Sequence, residues 1–119
     1  MNLCQNNTIE MLWWLLVSHF IFDWGLQNRW MAENKNKYWE ILLAHCMIYT
    51  DGITLTIKLF TGNLYLLVIP FILIGHYITD YISSSLYSIN NTKERNRRLL
   101  WVDHLIHLLQ LLIVLYLIA

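Results

Sequence analysis

Four long apolar stretches run through this chain, separated by short polar breaks, and a few ionisable residues interrupt them at helical spacing. The stretches cover about 9–26, 38–60, 64–87 and 99–119. Each is close to the roughly 20 residues that cross a hydrocarbon core. The pattern therefore predicts an all-α fold, a four-helix transmembrane bundle with short loops in one domain, 1–119. Thr8, after Asn6 and Asn7, reads as the first helix N-cap. Thr61-Gly62-Asn63 reads as a turn, and Pro70 as a bend within the third span. The second stretch is the most polar, with His45, Thr50, Asp51, Gly52, Thr54, Thr56 and Lys58.

Composition strengthens this reading. The chain is 57% hydrophobic and only 13% charged, which suits a membrane protein better than a soluble domain of this size. Net charge is zero, so no bulk electrostatic case exists for nucleic acid as a partner. No Lys or Arg falls within residues 1–10, so the first stretch is expected to be a retained span, not a signal peptide. Cys4 and Cys46 are far apart and read as inert thiols. There is no solenoid repeat and no low-complexity tract.

Charge in the breaks sets the orientation. Arg29, Lys35 and Lys37 lie between the first two stretches, and Lys93, Arg95, Arg97 and Arg98 between the last two, against Lys58 alone on the other side. The positive-inside rule places both basic loops in the cytoplasm and both termini outside. Such clusters are most often plain membrane-flanking charge. Above a binding site they would also attract an anion.

Three pairs carry the chemistry: His19 with Asp23, His76 with Asp80, and Asp103 with His107, each four residues apart. That spacing is one helical turn, so each pair shares a helix face. Aspartates within spans cost on the order of 2.5–3.5 kcal/mol each at mid-span, which demands compensation. The order reverses in the third pair. The first and third stretches descend toward the cytoplasm and the fourth ascends, so the reversal keeps all three aspartates on the cytoplasmic side. His45 enters at similar depth. The prediction is a histidine layer (His19, His45, His76, His107) above an aspartate layer (Asp23, Asp80, Asp103), roughly 6 Å apart.

A single His–Asp pair is most often a local hydrogen bond, but three aligned pairs plus His45 suggest a shared site. Imidazole with carboxylate suits one or two divalent ions such as Zn, Mn or Fe. All seven residues are candidate ligands, and some carboxylates could instead orient a ligating imidazole. Asp23, Asp80 and Asp103 are also the catalytic candidates, and Gln27, Arg97 and Arg98 the substrate-binding ones. Gln110 could support the site. His104 points about 100° from Asp103 and is expected not to ligate. Asp51 reads as an interhelical partner or a proton relay. No nucleophile elbow, phosphate loop or H-E-x-x-H motif is present.

The run from His19-Phe-Ile-Phe-Asp23 to Gln27, with Trp30-Met31-Ala32 and Asn34-Lys35, resembles a signature of small bacterial and phage membrane proteins, domain of unknown function 3307. The likeness continues through Leu42-Leu43-Ala44-His45, His76-Tyr-Ile-Thr-Asp80-Tyr81 and Asp103-His104-Leu-Ile-His107. That pattern leads one to expect Gln where His104 stands. More distantly the chain is similar to membrane-bound metal-dependent hydrolases. The resemblance implies a metal and a membrane, with the bacterial inner membrane as the expected location. The leading expectation is thus a metal-dependent hydrolase acting on an anionic lipid-like or phosphate-containing substrate at the cytoplasmic interface. A proton or metal-ion transporter using a His/Asp relay is the alternative. A lysis factor explains the aligned pairs least, and a homo-oligomer remains open.

Overall fold

The structure is a computed structural model that describes the backbone over residues 3–89 and 93–118, and side chains over 7–86 and 96–118. The Cys4, Lys93 and Arg95 side chains therefore lie outside the described residues. Every regular element described is helical: α1 (Leu3–Phe20), a π-helical turn (Ile21–Gly25), α2 (Arg29–Asn34), α3 (Trp39–Thr61), α4 (Val68–Ile89) and α5 (Lys93–Ile118).

Local chemistry explains the boundaries. The helix α1 passes without a break into the π turn, which closes with Leu26 N–H donating to the Ile21 carbonyl five residues back. Asn28 caps α2, its side chain accepting from Met31 N–H at 2.7 Å. Gly62 ends α3 in the left-handed region at φ 73°, and its N–H bonds the Lys58 carbonyl. The expected turn at Thr61–Asn63 is thus formed. Two details differ from expectation. Thr8 lies inside α1, not at its cap. Pro70 falls in the first turn of α4, where no intrahelical donor is lost, so it does not bend the middle of a span.

The long helices form a closed ring. α1 packs on α3 and α5, while α4 packs on α3 and α5 from the other side. Cross-helix pairs such as Ser18–Thr56 and Asp23–His45 descend one helix as they climb the next, so neighbours are antiparallel. α2 is a short extra helix over the α1–α3 connection, which makes five α-helices where four were expected. Among the described residues, two helices are long and apolar enough to cross a membrane, Trp39–Thr61 and Asn96–Ile118, where four were expected. α1 falls short because it ends at Phe20, where the π turn begins, and in α4 His76, Asp80 and Ser83–Ser85 dilute the apolar content.

The interior is split along the bundle, whose longest extent is 49 Å. One half is an apolar core of Leu15, Tyr49, Ile53, Ile72, Leu111 and Val114 with their neighbours. The other half buries His19, Asp23, His45, His76, Asp80 and His107, each at most 6% exposed. Outward faces show the reverse, with Leu59, Leu67, Leu105, Leu109, Tyr116 and Leu117 all well exposed.

Candidate metal centre

Two glycines determine how closely the helices carrying the polar half approach. A Cβ at Gly52 of α3 would collide with the Phe22 ring of the π turn. Phe22 therefore packs directly on the α3 backbone, and Asp23, the next residue, points inward. Gly75 of α4 accommodates Gln110 of α5 in the same way. Gln110 donates to the Phe71 carbonyl at 3.0 Å, so it ties two helices together away from the polar cluster.

All seven expected ligands arrive in one cluster, but the pairing is across helices and the two layers merge. Within one helix, His19 Nε2 and Asp23 Oδ2 are 3.9 Å apart, His76 Nε2 and Asp80 Oδ2 3.7 Å, and His107 Nε2 and Asp103 Oδ1 3.5 Å. Between helices the distances are shorter. His45 Nε2 lies 3.0 Å from Asp80 Oδ2 and 3.1 Å from Asp23 Oδ1. His76 Nε2 lies 3.4 Å from Asp23 Oδ1, and His107 Nε2 lies 3.3 Å from Asp80 Oδ1. Each turn of spacing supplied the right face, and helix packing chose the partners.

Asp23, His45, His76 and Asp80 form the densest group, their donor atoms all within 4.8 Å of one another. The His45 and His76 Nε2 atoms face each other at 3.3 Å. A tetrahedral ion with bonds of about 2.0–2.2 Å has ligand–ligand edges of roughly 3.3–3.6 Å. Five of the six edges run from 3.0 to 3.7 Å, near that shape, and the Asp23–Asp80 edge is within 4.8 Å. This buried group can hold a metal ion. Two further groups share Asp23: one with His19 and His104, the other with Asp103 and His107.

Proton bookkeeping orders these contacts. His76 Nδ1 faces His107 Nδ1 at 3.2 Å, so one carries the hydrogen and the other accepts it. If His76 Nε2 offers its lone pair to an ion held with His45 and the aspartates, His76 holds its hydrogen on Nδ1. His107 then accepts at Nδ1 and donates from Nε2 toward Asp80. That is the arrangement by which an outer imidazole fixes an inner one. Tyr49 buttresses the same ring, stacked on His76 with centroids 3.9 Å apart, while its hydroxyl lies 2.9 Å from His19 Nδ1.

A cavity of about 550 Å³ reaches the cluster from the α1–α3 connection, with Gln27, Lys35, Lys37, Asp80, Ser83 and Asp103 among its walls. Lys35 is the residue whose role its loop position concealed. Its ammonium donates to Asp80 Oδ2 at 2.9 Å and to Gln27 Oε1 at 3.0 Å, largely shielded from solvent. The only sequence signal was its place among the basic loop residues. Of the three residues expected to bind substrate, Gln27 lines the cavity, whereas Arg97 and Arg98 are exposed on α5 and do not. Asp103 forms part of the wall and touches the Ser83 hydroxyl.

His104 joins the cluster against expectation. It is buried, and its Nδ1 lies 3.1 Å from His19 Nε2. The 100° offset from Asp103 turns it toward α1, not out of the bundle. Asp51 is exposed on the outer face of α3, so it neither pairs inside the bundle nor extends a relay from the cluster. Cys46 is fully buried beside His45 but belongs to no donor group.

The chain belongs to a family described as proteins of unknown function (DUF3307), whose profile matches residues 11–119. Compared with curated proteins and with solved structures, it matches none.

Proposed function

We propose that this member of the DUF3307 family is a membrane-embedded, metal-dependent hydrolase of phosphate-bearing, lipid-like esters. The observation that carries the reading is the juxtaposition of a four-donor His/Asp group with a cavity walled by Lys35, Lys37 and Asp103. The inverted distribution of polarity supports the membrane. Ionisable groups fill one half of the interior, and large apolar side chains cover the outside of all four long helices. Soluble monomers rarely expose so much apolar surface. In this reading all four long helices cross the bilayer. The basic connections then place the cavity at the cytoplasmic face.

Asp23, His45, His76 and Asp80 would hold a divalent ion, with zinc, manganese and iron all compatible with the donors. When bound, such an ion would supply a Lewis acid and, by expanding to a fifth position beyond its four protein donors, would acidify water toward neutrality. The chain's own residues do the rest. Lys35 and Lys37 draw the substrate phosphate into the cavity, and Gln27 holds Lys35 in place. Asp103, outside the four-donor group and facing the cavity, takes a proton from the attacking water. Water oxygen adds to phosphorus, the ester P–O bond breaks, and the proton passes to the leaving alcohol. His107 keeps His76 and Asp80 oriented throughout.

A transport role has less support. Asp51, the residue that favoured a relay, is exposed on α3, and along the bundle the ionisable cluster gives way to a largely apolar core in which Ser18, Thr50, Thr54 and Thr56 are the polar groups.

The test is elemental analysis of protein purified in mild detergent, followed by phosphate release from phospholipid and polyprenyl-phosphate esters. Bound transition metal and chelator-sensitive release are expected. Protein that is fully helical, metal-free and unable to take up metal would overturn the proposal.

A further inference from the structure

Asp23 offers its two oxygens in different directions. Oδ1 faces His45 and His76, at 3.1 and 3.4 Å. Oδ2 faces His19 Nε2 and His104 Nδ1, at 3.9 and 4.0 Å. A carboxylate split in this way is the geometry of a bridge between two ions.

The second set of donors closes on itself. His19 Nε2, His104 Nδ1 and Asp23 all lie within 4.8 Å of one another, and all three residues are buried. The proton inventory permits both imidazoles to present lone pairs there. His19 can keep its hydrogen on Nδ1 and donate it to the Tyr49 oxygen, 2.9 Å away, which leaves Nε2 free. His104 can keep its hydrogen on Nε2, where no hydrogen-bond partner is found among the described residues, so its one polar engagement is inward through Nδ1. The group around His107 and Asp103 fails the same check. With an inner ion on His76 Nε2, the His76 hydrogen sits on Nδ1, His107 Nδ1 accepts it, and the His107 hydrogen would then sit on the Nε2 that a metal would need. The hydrogen-bond pattern thus separates two groups of similar composition.

Charge gives an independent reason. Asp23, Asp80 and Asp103 against the Lys35 ammonium leave the centre with two formal negative charges. One divalent ion only neutralises it. A second makes it doubly positive, which is what a buried site needs in order to attract an anionic phosphate.

We infer that His19, Asp23 and His104 form a second divalent-metal site, bridged to the Asp23/His45/His76/Asp80 site through the Asp23 carboxylate. The inference rests on the metal reading of the inner group. Three protein donors leave a coordination position open, as catalytic sites do, whereas the inner group supplies four. His104 is therefore a ligand, and its departure from the Gln expected by resemblance adds a donor to the centre.

The experiment saturates the full chain, in mild detergent, with Mn²⁺ alone, removes free ion, and measures manganese per chain and the electron paramagnetic resonance spectrum. Wild type should hold two ions per chain with a spin-coupled spectrum. His104→Ala and His104→Gln should each hold one ion with an uncoupled spectrum, at unchanged helicity by circular dichroism. One ion in wild type, unaffected by His104→Ala, overturns the second site and leaves the proposed function standing. Two ions retained in both His104 variants overturn it as well. No ion in helical wild-type protein overturns the metal reading itself. The wild-type stoichiometry decides the matter even if a variant fails to fold.

Discussion

Replacing Gly52 with alanine tests whether packing at the π turn is what delivers Asp23 to the cluster. The new Cβ would overlap the Phe22 ring, lying 2.6 Å even from Cδ1 and nearer still to Cγ and Cδ2. Carbon atoms settle at about 3.5–4.0 Å, so ring and helix must part by about 1 Å. Overpacking of that kind costs about 1–3 kcal/mol. Asp23 follows Phe22 directly, and its Oδ1 is now 3.1 Å from His45 Nε2. A shift of about 1 Å takes that donor off any shared ion, and misplaced ligand geometry typically lowers metal affinity by about 10–100-fold. Two readouts apply: the unfolding midpoint in detergent by circular dichroism, and metal affinity by chelator competition. Gly52→Ala should lower both. Adding Phe22→Ala should make the double variant's loss smaller than the sum of the single losses, because the alanine methyl then has room. Wild-type metal affinity in Gly52→Ala, or strict additivity in the double variant, would refute the argument.

Three further outcomes are expected. Tyr49→Phe keeps the ring stacked on His76 but removes the hydroxyl from His19 Nδ1; manganese titration should show one of the two bound ions weakened by about 10–100-fold, with the other nearly unchanged. Lys35→Met removes a cation that sits 2.9 Å from Asp80 Oδ2. Metal affinity should hold or rise, since a competing positive charge is gone, while KM for an anionic ester should increase about 10–100-fold; a weakened metal with unchanged KM would count against the phosphate role. Cysteines placed at Lys37 and at Asn63, both exposed, should react with a membrane-impermeant thiol reagent from opposite sides of sealed vesicles. Labelling of both from one side would rule out four crossings with these loops.

Much of this protein was already legible in the order of its residues. The apolar stretches anticipated the four long helices and their antiparallel course, and Gly62 ended α3 because a left-handed cap tolerates little else. The reversed order of Asp103 and His107 pointed to a histidine layer above an aspartate layer, and the structure brings those seven residues together in one cluster in which the layers merge. Helical spacing, however, specifies only which face of its own helix a side chain occupies. Rotation and register between helices are set by contacts made in space, and those contacts brought Asp23 and Asp80 nearer to histidines on other helices than to their own partners, while Asp103 kept its own partner His107 at 3.5 Å. The π turn, held where Phe22 lies on Gly52, has no periodic signature in the sequence. Lys35 reached Asp80 through a loop whose path spacing cannot trace, and His104 entered the cluster because α1 lies on that side of α5. Asp51 turned outward for the same reason, in that its face of α3 meets no neighbouring helix. Spacing along the chain told which chemistry is present and which helix face carries it; which atoms share it was settled by packing, because only packing sets the distances between helices.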